Sequence, residues 1–125
     1  MIESIGQVML YVQDQRSIAD FWVNQVGFVK VGETSNGHGG FSIEIAPREG
    51  TDTSFVLHNR ALIEKLQPEL NLGTPSILFS SFDLETTYND FKKKNITVGD
   101  LVEMEGMKVF NFADIEGNYF AIREI

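Results

Sequence analysis

The chain has no cysteine, which excludes disulfides, a thiolate nucleophile, iron–sulfur clusters and Cys-type zinc sites. It has no apolar run near the roughly 18 to 20 residues that span a bilayer. Its opening residues, MIESIGQ, show neither the basic flank nor the apolar segment of a signal peptide. A cytoplasmic protein with no membrane partner is therefore expected. Positive charge is also scarce, since 10 Lys and Arg against 18 Asp and Glu leave a formal net charge of -8. Such a surface keeps a protein soluble, repels a phosphate backbone and favours cationic partners, so no nucleic acid partner is expected. Any catalysis falls to His, carboxylates, Tyr, or a metal held by nitrogen and oxygen donors.

What is present suits a single domain over residues 1–125, with 42% hydrophobic residues to build a core. The stretch IGQVMLYVQD alternates as a strand does, with Val8, Leu10 and Val12 on one face and Gln7, Met9 and Tyr11 on the other. DQRSIADFWVNQVGF spaces Ile18, Phe21, Trp22 and Val26 as a helix, capped by Asp14 or Ser17 and stopped at Gly27. Strands are predicted at Phe28 to Gly32, Phe41 to Ala46 and Ser54 to His58, separated by ETSNGHGG and PREGTD. His38 falls in the first of these turns, where no helix follows to make a phosphate cradle.

A short helix, RALIEKL, leads into QPELNLGTP, a linker punctuated by Pro68, Gly73 and Pro75, and the order then repeats. SILFSSFD is a strand, LETTYNDFKKKN a helix, and ITVGD, KVFNFAD and NYFAIREI three further strands, with Glu103 and Glu105 flanking Met104 in a turn-like segment. Asp14 superposes on Asp83 at an offset of 69 and Leu57 on Ile122 at an offset of 65. An internal duplication follows, with module one at 1–66, a linker at 67–75 and module two at 76–125.

VMLYVQD running into a helix, FWVNQVGF in the style of FYxxxLGF, and FNFADIEGNYFAI in the style of fxDPxGnxiEl, in this order, resemble the vicinal oxygen chelate superfamily. That superfamily includes glyoxalase I, extradiol dioxygenases, fosfomycin-modifying enzymes and bleomycin resistance proteins. Ile115 departs from its usual Pro, and Ala121 stands where the metal-binding members have Glu. The resemblance implies an α+β fold in which two βαβββ modules form curved mixed sheets around a central cup, in a homodimer.

In the metal-dependent members, one residue from the first and one from the last strand of each module hold a divalent ion. Carried over, these positions are Gln7, Val56, Ile77 and Ala121, three of which have no donor. The usual site is expected to be absent, with no metal and no cofactor. A rearranged set of Gln7, Glu44 and His58 is the alternative, and would make the protein a metal-dependent lyase or thiol transferase.

Strand phase puts Gln7, Met9, Tyr11, Ser54, Val56, His58, Tyr119, Ala121 and Arg123 in the cup or at its mouth, and the expected ligand-contact set adds Ile77 and Phe79. This mixture suits a small organic molecule. Tyr11, Tyr119 and a half-buried Arg123 are the contacts expected to matter most. His58 reads either as a base or ligand, or as a strand-end histidine beside the capping Asn59. Glu44, between Ile43 and Ile45, faces either the cup or solvent.

Overall fold

The computed structural model describes residues 1–37 and 39–125, so the turn expected at His38 lies outside the described residues. The chain forms two compact units, Met1–Thr74 and Pro75–Ile125. In the first, β1 (Gln7–Val12) leads to α1 (Gln15–Asp20), a π-helical segment (Phe21–Val26), β2 (Val29–Ser35), β3 (Phe41–Ala46), β4 (Ser54–Asn59) and α2 (Arg60–Leu66). The strands lie in the order β1-β4-β3-β2, with β1 parallel to β4 and the remaining neighbours antiparallel.

The period of two decides what the first sheet buries. Leu10 pairs with Leu57, and Leu57 with Ile43, so one face of three adjacent strands is aliphatic and closes against α1 and the segment after it. Ile18 and Trp22 supply that cover and are fully buried. The Trp22 ring stands edge-on to Phe55 at 5.6 Å between centroids. Asp14, not Ser17, is the cap: its carboxylate accepts the Ser17 amide at 3.1 Å and the Ser17 hydroxyl at 3.0 Å. The single helix expected from the spacing changes to π-helical winding at Phe21. It ends at Gly27, whose φ of 102° lets the amides of Gly27 and Phe28 both reach the Trp22 carbonyl. β2 runs past its expected end at Gly32, because a bulge between Lys30 and Gly32 restores pairing with β3.

In the second unit, β5 (Leu78–Ser81), α3 (Leu84–Lys93), β6 (Val102–Met104), β7 (Met107–Ala113) and β8 (Tyr119–Glu124) give a sheet of the same topology, β5-β8-β7-β6. The registers repeat too: Leu10 opposite Leu57 in the first sheet answers to Phe79 opposite Ile122 in the second. Phe110, Phe112, Phe120 and Ile122 form the helix-facing side, and Phe91 of α3 meets Phe112 edge-on at 5.2 Å. Asp83 caps α3 as Asp14 caps α1, accepting the Thr86 amide at 3.2 Å.

The strand expected at ITVGD shrinks to one bridge, Val98 with Phe112. Past Gly99 the chain leaves β7, and pairing resumes only at Val102. Met104 is consequently the end of β6 rather than part of a turn. The turn itself is Glu105–Gly106, a two-residue hairpin loop with φ of 52° and 75°. Ile115 causes no disruption in the place of proline, because buried Asp114 holds its turn by accepting the amides of Glu116 and Asn118, both at 2.9 Å.

Leu57→Ala and Phe112→Ala each leave a void in a fully covered face. Urea unfolding is expected to show a loss of roughly 2 to 5 kcal/mol for each, whereas Glu64→Ala on exposed α2 should stay within about 0.5 kcal/mol.

Candidate functional site

The pleat that buries Leu10 and Leu57 turns their neighbours to the opposite face. Gln7 pairs with Ser54, Met9 with Val56, Tyr11 with His58, and Val56 also with Glu44 on β3. β2 continues the row with Gly32 opposite Glu44 and Thr34 opposite Ser42. Among them lies a cavity of about 320 Å³, lined by Gln7, Met9, Gly32, Glu33, Thr34, Ser42, Glu44, Val56 and His58. The two positions open for Glu44 thus resolve to the cavity.

The cavity has two chemically different ends. At one, Ser54 is buried and donates its hydroxyl to Glu44 Oε2 at 2.5 Å, while Gln7 Nε2 donates to the same oxygen at 3.4 Å. At the other, the His58 ring stacks on Tyr11 with centroids 5.5 Å apart and planes 23° from parallel, and its Nε2 lies 3.2 Å from Met9 Sδ. Burial pushes the His58 pKa below its ordinary 6.5, so the imidazole is neutral at pH 7. Tyr11 therefore backs His58 and does not line the cavity itself.

Glu33 at the rim is already engaged. Arg16 hydrogen-bonds it, Lys30 Nζ lies 2.5 Å away, and these contacts hold its carboxyl at about 2. Arg16 is in turn fixed over the Phe41 ring, 4.4 Å from its centroid.

The second unit carries its own open face, with Leu78 opposite Ala121, Ser80 opposite Arg123 and Asn111 opposite Ala121. A smaller groove of about 190 Å³ there is lined by Ser76, Ile77, Asn111, Tyr119, Phe120 and Ala121. Three expectations need correction. Phe79 faces the helix side, its ring 6.2 Å from Phe112 and 6.1 Å from Phe120. Met9 opposite Val56 answers to Leu78 opposite Ala121, so the counterpart of Gln7 is Ser76, not Ile77. Arg123 is exposed rather than half-buried, and its Nε–H donates to Ser80 Oγ at 3.2 Å.

Of the rearranged set, Gln7 and Glu44 meet. His58 is four residues along β4 from the Gln7 partner Ser54, about 13 Å of strand, and turns its Nε2 to Met9. Among the described residues, no three His, Cys, Asp or Glu side chains are grouped to hold a metal ion. Ser54 lies on the face that strand phase gives it, with Val56 and His58. Gly32 and Thr34 are not legible from spacing because their side depends on the β2 bulge, and Ser42, like Glu44, because its side depends on the pairing of β3 with β4.

Residues 4–122 match the model of the Glyoxalase/Bleomycin resistance protein/Dioxygenase superfamily. The uncharacterized protein YetH of Bacillus subtilis (strain 168) is 30% identical over 125 residues, covering 99% of this chain and 100% of YetH. Among solved structures, TnmS3, an antibiotic binding protein from Streptomyces sp. CB03234, superposes with a TM-score of 0.82 at 23% identity, over 98% of this chain and 96% of TnmS3. A superfamily member from Sphaerobacter thermophilus DSM 20745 gives 0.84 at 23% identity, over 99% and 98% of the two chains. At these identities the structural likeness carries the fold.

The displaced His58 equilibrium gives a pH test. The folded state resists the proton that the unfolded chain takes up near 6.5, so stability is full above that value and declines as pH falls from it toward the folded pKa. NMR titration of the His58 ring is expected to give a midpoint below 6.5, and His58→Gln should remove that part of the pH dependence of urea unfolding.

Proposed function

Because the chain belongs to the Glyoxalase/Bleomycin resistance protein/Dioxygenase superfamily, we propose that it binds a small organic molecule in the first unit's cavity without the superfamily's usual metal. The observation that carries this reading is the cavity itself: about 320 Å³, with a carboxylate, a neutral imidazole, a thioether and Val56 on one sheet face. That volume and that mixture of apolar surface with a few placed polar groups suit a small ligand. TnmS3, an antibiotic binding protein of the same fold, supports the same direction.

The residues do not fit the superfamily's divalent ion. Val56 and Ala121 offer no donor atom, and Ser76 and Gln7 offer neutral oxygens that compete poorly with water. Gln7 and Glu44 do approach each other, which is the observation favouring the alternative of a metal-dependent lyase or transferase. Elemental analysis of untagged protein is expected to find no stoichiometric Zn, Ni, Mn or Fe. About one ion per chain, lost in Glu44→Ala or His58→Ala, would establish the enzymatic reading instead.

The proposal includes a cytoplasmic homodimer. Leu78 and Tyr119 stand 47% and 61% exposed on the second unit's open face, an arrangement that a further copy can cover. Sedimentation equilibrium at micromolar concentration is expected to give twice the 14.1 kDa chain mass. A mass near one chain contradicts the dimer.

A further inference from the structure

The carboxylate of Glu44 is held in a way that specifies the charge of its ligand. Both of its described hydrogen bonds fall on one oxygen: Oε2 accepts from Ser54 Oγ at 2.5 Å and from Gln7 Nε2 at 3.4 Å. These donors are neutral, so they orient the group without discharging it. The ion pairs of the described residues engage Glu33 and Asp90, and none engages Glu44. Oε1 is thus left as an oriented acceptor beside the cavity, on a half-buried side chain.

The surrounding groups narrow the choice further. The Glu33 carboxylate at the rim is taken up by Arg16 and Lys30, which leaves Glu44 as the cavity carboxylate without an ion-pair partner among the described residues. His58 is neutral and presents a ring rather than a cation. Arg48 lines the adjoining depression of about 240 Å³, which shares Gln7, Glu44 and Ser54, but it forms no ion pair with Glu44. An anionic ligand would face an uncompensated carboxylate, whereas a cation would complete it. The net charge of -8 works in the same sense at longer range by concentrating cations near the surface.

Spacing supplies the rest of the ligand's outline. Glu44 is paired with Val56, and His58 lies two residues beyond Val56 on the same face, about 6 to 7 Å away along the strand. Val56 provides an apolar floor between them, while Met9 Sδ and the Tyr11-backed His58 ring give a polarizable wall. A flat ring with a charged substituent spans that distance.

We infer that the first unit's cavity selects a planar organic cation, an amidinium or protonated amine on an aromatic body, with its N–H groups on Glu44 Oε1 and its ring over Val56 beside His58. This inference rests on the reading of the cavity as a small-molecule site and adds the ligand's charge and shape.

Titration of 15N-labelled protein with benzamidinium chloride and with its neutral counterpart benzamide tests it, using wild-type protein, Glu44→Gln and His58→Ala. Benzamidinium is expected to shift the amides of Gln7, Met9, Val56 and His58, with affinity about fivefold or more above that of benzamide. Glu44→Gln should remove that preference, and His58→Ala should weaken both probes alike. If both probes shift the cavity amides with equal affinity, or Glu44→Gln leaves the preference intact, the charge assignment is overturned while the cavity reading stands. If neither probe moves any of these amides, both are overturned. Should Glu44→Gln fail to fold, the comparison of the two probes on wild-type protein still decides the matter.

Discussion

The parallel pairing of β1 with β4 is the constraint from which the first unit's other features follow. With Leu10 opposite Leu57, one face of β1 and β4 is aliphatic and the other carries Gln7, Met9, Ser54, Val56 and His58. A slip of one residue would exchange the two faces, exposing the leucines and burying the glutamine and histidine. The register is reinforced from the helix side by Gln15. This buried side chain donates Nε2 to the carbonyl of Phe41 at 2.7 Å and to that of Leu57 at 2.8 Å, tying the start of α1 to the two neighbouring strands β3 and β4. A buried amide with both contacts made favours this arrangement over its alternatives, because another register leaves its donors unsatisfied.

Burial and the open polar face are thus two consequences of one alternation. The helix-facing residues supply hydrophobic stabilisation, and the same geometry presents polar groups on a shared surface where they orient one another. Ser54 shows the link: buried by its position at the start of β4, it finds its partner in Glu44 on the neighbouring strand and fixes a charge at the cavity edge. Tyr11 positions His58 by stacking, and burial lowers the pKa of the imidazole.

Much of this was legible in the sequence, because period-two alternation and glycine and proline punctuation are local signals. The strands around Leu10, Leu57, Phe112 and Ile122, a cap at Asp14 or Ser17 and the stop at Gly27 all follow from them. The resemblance carried by FWVNQVGF and FNFADIEGNYFAI led to the superfamily that the model of residues 4–122 identifies. Long-range pairing was harder to read. The bulge at Lys30/Gly32, the retreat of ITVGD to one bridge and the resumption at Val102 depend on where neighbouring strands lie, which spacing along one segment does not encode. Phe79 belongs to the helix-facing side, as its counterpart Leu10, in the core phase, indicates. Glu44 was visible as a carboxylate between two isoleucines, but its side of the sheet depended on the pairing of β3 with β4.

The central claim is that this sheet face receives an organic molecule directly, with Glu44 and His58 at its two ends. A crystal structure of chelator-treated protein, soaked with the tightest binder from a thermal-shift screen of antibiotics and metabolites, measures this most directly. The account predicts ligand density over Val56, a hydrogen bond to Glu44 Oε1 and the ligand body beside His58, with no metal between ligand and protein. A metal ion bound by Gln7 and Glu44, or a ligand seated away from this face, would contradict it.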